Sequence, residues 1–333
     1  VLQRPRSRTG LVGPIAAAVL PWLWFLLRDP LGPVGDVVAI LWPVLVVLAV
    51  LVLAWRRRWR WVPAIVSLLV LGTLVVLVPW SPRPTGPVAA AGAVRIAAAN
   101  ITGDLGDPAA LLADPADVTV VTENSDGIDR RIAAAYPYRI YGGTRDVGVY
   151  SRYPVQLLQG VGPDLPGARV RVDAPVPFTL YALHIPRPWI SDRGYEVTPV
   201  EHHRIVEAVT AQAAVEPGPV VLTGDLNTSD RTRDYGVLDG VLTDATRGTW
   251  QGPTQITTWR LLLLRIDHVF VTPGWCAEAP AHLPLPGSDH EAVAATVGPC
   301  ATPVIPATPT PRPIPGDHGQ IGAPSDPLAP IGP

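Results

Sequence analysis

The fold of this chain is decided by Val220-Val-Leu-Thr-Gly-Asp-Leu-Asn227. Val220 to Thr223 form a short apolar and β-branched run without polar alternation, as a strand buried on both faces requires. Gly224 breaks the run, and Asp225 and Asn227 stand just past its end. By itself Gly-Asp-Leu-Asn is an ordinary turn. A strand ending on groups that can move protons is also how α/β folds build their sites.

Working outward, the same pattern recurs. Strands are expected at Val94–Ala99, Val118–Thr122, Val147–Tyr150, Phe178–His184, Ile266–Val271 and Ala292–Val297. Asn100 follows the first, Glu123 the second, and His184 closes Phe178-Thr-Leu-Tyr-Ala-Leu-His184. Asp267 and His268 lie in Arg265-Ile-Asp-His-Val-Phe270, and Asp289 and His290 in Ser288-Asp-His290. Pro199 to Ala214 reads as a helix with Val200, Ile205, Val206 and Val209 on one face. Short strands alternating with helices indicate an α/β domain with buried sheets. Each polar piece also has a bland reading: an Asp-His pair in a solvated loop, or Glu123 capping a helix. The ordered series carries more weight than any member, because each falls after an apolar strand.

Composition limits the function. Between Gly86 and Cys300 there are 16 Arg against 24 Asp and Glu, a net of −8, whereas gripping nucleic-acid backbones calls for a basic surface. Cys276 and Cys300 can form a disulfide or stay as two buried thiols. No Cys or Ser has a nucleophile signature and no Gly-rich phosphate loop appears, so direct attack by water is the expected mechanism.

The first 80 residues differ in kind. Leu11–Leu27, Val37–Trp55 and Val62–Val78 are apolar runs near the roughly 17–25 residues needed to span a bilayer, with tryptophans near their ends. They predict three transmembrane helices. Arg4, Arg6 and Arg8 before the first run and Arg56, Arg57, Arg58 and Arg60 after the second place those ends in the cytoplasm by the positive-inside rule. Everything after Trp80 would then be extracytoplasmic, on a multi-pass protein of the cell membrane. The expected organisation is a membrane region over 1–80, a Pro-rich linker over 81–93, a catalytic domain over 94–300 and a Pro-rich disordered tail over 301–333.

The set Asn100, Glu123, His184, Asp225-x-Asn227, Asp267 and Asp289-His290 resembles the endonuclease/exonuclease/phosphatase superfamily, the deoxyribonuclease-like phosphoesterases. Gly148-Val-Tyr-Ser-Arg-Tyr-Pro154 looks like that family's strand leading into Ser-Arg-Tyr-Pro. The likeness runs from about Val94 to Val297, and Thr122 departs from it where many members have Gln. It implies a four-layer α/β sandwich with two packed mixed β-sheets. It implies Mg²⁺ or Mn²⁺ held primarily by Glu123, with Asn100 and Asp289 completing or supporting the site. Asp225 would orient and deprotonate the attacking water, and Asn227 would hold a phosphoryl oxygen or the nucleophile. His184 and His290 would donate hydrogen bonds to the phosphoryl group, with Asp267 paired to His290. His268 has a structural reading at least as good as a catalytic one.

Three spans ahead of an outward domain are similar to the VanJ-like membrane proteins of actinobacteria, linked to teicoplanin resistance and dephosphorylation of undecaprenyl pyrophosphate. The substrate expected from this, and from the acidic domain, is a phosphorylated lipid or cell-envelope intermediate. The alternatives are a nuclease or nucleotide phosphatase, and a non-catalytic domain that binds or senses envelope lipid. Leu261-Leu-Leu-Leu264 between Arg260 and Arg265 reads either as an apolar loop touching lipid, with Arg near its phosphates, or as a buried strand. Trp189 reads as a substrate wall or as packing.

Overall fold

The computed structural model describes residues 26–55, 86–189, 194–247, 252–256 and 262–301, with scattered positions between 19 and 72. The chain divides into two compact units, Val1–Ala301 and Thr302–Pro333. The second, which holds nearly all of the expected tail, lies outside the described residues.

Two six-stranded sheets make up the core. The first has β1 (Val94–Asn100) and β2 (Val118–Thr122) parallel at its centre. β4 (Gly148–Ser151) and β3 (Tyr138–Tyr141) extend it on one side, and β14 (Ala292–Pro299) and β13 (Trp275–Leu283) on the other. The second has β7 (Phe178–His184) and β10 (Val220–Asp225) parallel at its centre. It is flanked by β6 (Gly167–Val172) and β5 (Val155–Gln159) on one side and by β12 (Asp267–Val271) and β11 (Thr243–Asp244) on the other. A short ladder joins β8 (Arg187–Pro188) to β9 (Glu196–Val197).

Side-chain alternation sets the layers. Val94, Ile96 and Ala98 of β1 face the other sheet, where they meet Val170, Leu180, Val221 and Val269. Ala97 and Ala99 face outward, onto Leu111 of α2 (Ala109–Ala113) and Ile128 and Ile132 of α3 (Asp126–Ala133). On the far side, Tyr181, Leu183 and Leu222 meet Ile205, Val206 and Val209 of α4 (Pro199–Ala214) and Leu238 of α5 (Arg233–Val241). Helices therefore cover both outer faces of a mixed two-sheet α/β sandwich. Val200, expected on the buried face of α4, is 64% exposed because, at about 3.6 residues per turn, it falls on the side of the helix opposite Val209. That first turn is fixed by Thr198, whose side chain accepts the Glu201 amide at 3.2 Å, with Pro199 next to it.

The three expected transmembrane helices are not supported. Among the described residues no helix is long and apolar enough to cross a membrane. Most of the first and third runs lies outside the described residues. The second forms α1 (Pro33–Trp55), whose start is docked on the two-sheet domain. Asp36 accepts from the Arg233 backbone amide at 3.0 Å and from its guanidinium at 2.6 Å. Ala39, Trp42 and Val46 are buried against Val62 and Leu69. Hydropathy alone cannot tell a helix packed on protein from one packed in lipid, since both lack a polar stripe. Multi-pass membrane localisation, and the outward orientation drawn from Arg placement, lose their basis with the spans.

Cys276 and Cys300 are joined in a disulfide, which ties β13 to the residue just beyond β14.

Candidate active site

Register builds the site. Asp225, the last residue of β10, is paired with His184 at the end of β7 and with Asp267 at the start of β12. Three polar side chains thus stand abreast on neighbouring strands at one end of the second sheet. The first sheet offers its own strand ends opposite: Asn100 pairs with Thr122, and Glu123 follows. His290 enters just before β14 and is bridged to Gln255.

The backbone at these ends is unusual. Gly224 has φ +135°, and a Cβ there would lie 1.9 Å from the Leu183 carbonyl oxygen. Only glycine lets β10 run that close to β7 at the point where Asp225 must be delivered. Glu123 and Asn227 have φ of 48° and 47°, a left-handed conformation costly for residues with a side chain. The Glu123 turn is held by Gly103 donating to the Glu123 carbonyl at 2.9 Å and by Asn124 donating to the Asp146 carbonyl at 3.1 Å.

The side chains converge. Asp225 is buried, with His184 Nε2 and His290 Nε2 each 3.8 Å from its Oδ2. The Asn100 amide donates to the same oxygen at 2.9 Å and to Glu123 Oε1 at 3.0 Å. Asn100 Oδ1 accepts the Thr102 amide at 3.0 Å, which fixes the orientation of the group. The Asn227 amide donates to Asp225 Oδ1 at 2.9 Å, and its side chain donates to the Ile185 carbonyl at 2.9 Å. Asp267 Oδ2 lies 2.8 Å from His290 Nδ1. Asp289 accepts from the Thr102 hydroxyl at 2.7 Å, and Gln255 lies 3.5 Å from its other oxygen. Asn100, Glu123, His184, Asp225, Asn227, Asp267, Asp289 and His290 are therefore in one place, with Asn100 and Asp267 buried.

Asp146 and Tyr195 were not expected. His184 Nδ1 lies 3.0 Å from Asp146 Oδ2 and 2.7 Å from the Tyr195 hydroxyl, which itself donates to Asp146. This leaves Nε2 of His184 facing Asp225. Both residues come from loops, with no strand before them to mark them. Asp146 does lie just ahead of the Gly148-Val-Tyr-Ser strand, which is the only signal it had.

Other expectations change. His268 is buried, with Nε2 2.9 Å from the Thr228 carbonyl oxygen and Nδ1 3.3 Å from Asp244, a structural role. Arg265 is not near any surface: it is buried and ion-paired with Asp244. The lipid-phosphate reading of Arg265 fails for that reason. Leu262 is buried too, while Arg260 and Leu261 lie outside the described residues.

Electrostatics sort the groups. Burial raises the Asp225 pKa, Asp267 adds to the rise, and His290, His184 and Asn100 oppose it. Burial disfavours the charged form of His290, but Asp267 and Asp225 outweigh it and lift its pKa to about 10. His184 shows the same contest, resolved upward by Asp146, Asp225 and Glu123. Asp225, Asp267 and His290 could together hold a metal ion, since each offers a ligand atom and these lie within 4.8 Å of one another. Two further features suit a hard divalent cation. Asp267 Oδ1 is buried with no hydrogen-bond partner, and Glu123 opens to the cleft, its side chain 39% exposed.

The site lies in a cleft of about 1110 Å³, polar where Glu123, His184, Asp225 and His290 line it and apolar beyond.

A search of curated proteins by sequence found no match. Several solved structures are similar at low identity. An endonuclease/exonuclease/phosphatase from Beutenbergia cavernae DSM 12333 is 19% identical, with a TM-score of 0.49 over 64% of this chain and 73% of that one. One from Bacteroides vulgatus is 17% identical, with a TM-score of 0.47 over 62% and 99%. Sphingomyelinase C from Streptomyces griseocarneus is 17% identical, with a TM-score of 0.43 over 61% and 99%. The model of the endonuclease/exonuclease/phosphatase family matches residues 97–290. That match covers more than half of the chain, opens in β1 just before Asn100 and closes on His290. The chain belongs to the endonuclease/exonuclease/phosphatase family.

Proposed function

We propose that this phosphoesterase-type hydrolase acts by direct attack of water on a phosphorylated lipid. The observation that carries the reading is Asp225 buried between two imidazoles, each 3.8 Å from its Oδ2. Asp225 takes a proton as the water oxygen bonds to phosphorus. The bond from phosphorus to the leaving oxygen breaks, and that oxygen receives a proton from His290 or His184. Asp267 and Asp146 hold the two rings so that Nε2 faces the reacting group. Asn227 steadies a phosphoryl oxygen or the water, and Asn100 keeps Glu123 and Asp225 in place. Glu123, with Asp289 beside it, would hold Mg²⁺ or Mn²⁺. Such an ion, when bound, offsets charge on the phosphoryl oxygens.

Two things support a lipid over nucleic acid: the net of −8 across Gly86–Cys300, and the apolar half of the cleft. Undecaprenyl pyrophosphate and a part in teicoplanin resistance were suggested by the VanJ-like resemblance, and that resemblance loses its support with the three spans. The test is phosphate release by the full chain, with Mg²⁺ and after chelation, from lipid pyrophosphates, phosphodiesters, nucleotides and DNA. Release from the lipids alone, lost on chelation, is expected. Preferential cleavage of DNA or nucleotides would replace this reading with a nuclease or nucleotide phosphatase, and metal binding without any turnover would leave a lipid-binding domain.

A further inference from the structure

We infer that α1 is the wall of the catalytic cleft that receives the hydrocarbon chain of the substrate, an inference that rests on the phosphoesterase reading above. The cleft is larger than the roughly 300–1,000 Å³ typical of small-molecule sites, and a phosphoryl group fills only a corner of it. Beyond the polar end it is lined by Ile40, Leu41 and Val44 of α1, by Leu264 and Ile266 ahead of β12, and by Trp189. Ile40, Leu41 and Val44 fall on one helical face, and Leu41 and Trp189 are 36% and 42% exposed. An apolar surface continuous with a phosphoryl site matches an amphiphile: its head at Asp225, its chain along α1.

The wall is fastened by the loop that also carries the site. Pro43 lies inside α1 and has no N–H, so the Ala39 carbonyl loses its partner one turn on. Arg231 replaces that partner, donating from Nε to the Ala39 carbonyl at 3.1 Å. The same guanidinium donates to the Leu263 carbonyl at 2.9 Å and the Leu262 carbonyl at 2.7 Å. One buried Arg thus clamps both apolar walls, six residues after Asp225 in the chain. Arg233 adds its pair with Asp36. The proline that looks like a flaw in the helix is what opens the carbonyl for this clamp.

Calorimetric titration of the full chain with n-alkyl phosphonates from ethyl to octyl, with Mg²⁺ present, reads the wall without turnover. Each added methylene should tighten binding by up to about fourfold. Leu41→Ser and Val44→Ser should flatten that dependence. Binding that ignores chain length in the parent protein, or a dependence that both variants keep in full, overturns the inference. A photoreactive diazirine at the chain end needs no variant: labelling within Pro33–Trp55 is expected, and labelling confined to other segments overturns it. Phosphate release from the matching alkyl phosphates separates the two readings. Chain-dependent binding, with no release from the alkyl phosphates or from any substrate of the panel above, supports the wall and overturns the hydrolase; equal release from ethyl and octyl phosphate overturns the wall alone.

Discussion

Asp225 and Gly224 show how two adjacent residues divide chemistry from geometry. Asp225→Asn keeps the shape and removes the base, so turnover should fall by about 10²–10⁴-fold while the thermal midpoint stays close to that of the parent. Activity within tenfold of the parent would remove Asp225 from its role. Gly224→Ala tests the geometry instead. Its Cβ would meet the Leu183 carbonyl oxygen at 1.9 Å, on a backbone with φ +135°. A loss of at least about 2 kcal/mol in chemical denaturation is expected, with activity falling in the protein that remains folded. Much of this scale was legible in sequence. Asn100, Glu123, His184, Asp225, Asn227, Asp267, Asp289 and His290 each follow or adjoin an apolar run, and the structure gathers them. Asp146 and Tyr195 were not legible, because a loop residue gains its meaning only from the imidazole the fold brings to it.

Among the elements, β11 and β12 make the clearest prediction. Asp244 of β11 is fully enclosed and ion-paired with Arg265, with His268 also in contact. Burial works against its charge, but Arg265 and His268 overcome it and hold its pKa well below the ordinary 3.8. A carboxylate lowered on folding contributes stability above its unfolded pKa, and that contribution is lost as pH falls toward the folded value. Unfolding free energy should therefore decline below about pH 4 in the parent, and less steeply in Asp244→Asn. The variant should also lose about 3 kcal/mol near neutrality, since buried Arg265 keeps only Asp230, 3.6 Å away, to balance its charge. Equal acid slopes in the two proteins would refute the assignment. At this scale the central strands β2 and β7 and the helix α4 could be read from the sequence to the residue. Edge strands such as β3 and β5 could not, because their half-exposed residues carry no continuous apolar run. The apolar run of α1 gave its helix but not its surroundings. Asp36, just ahead of that run and in the first turn of the helix, was the sign of a protein partner, and one charge near a helix start is too common to read alone.

For the molecule as a whole, the disulfide gives a further expectation. Cys276 and Cys300 are 24 residues apart and close the loop that contains His290. Reduction should lower stability by about 3 kcal/mol through the freedom regained by the unfolded chain. Unfolding midpoints with and without reductant would measure it, and no change would mean the loop is already restrained. The sheet order adds a consequence in time. β14, among the last strands made, pairs with β1, the first, while His290 sits at its entrance. A growing chain on the ribosome can assemble the second sheet and still lack its final imidazole. Until residue 290 emerges, β1 keeps an open edge ready for a stray strand, so chaperone capture of nascent chains should peak late in synthesis and end abruptly when β14 arrives.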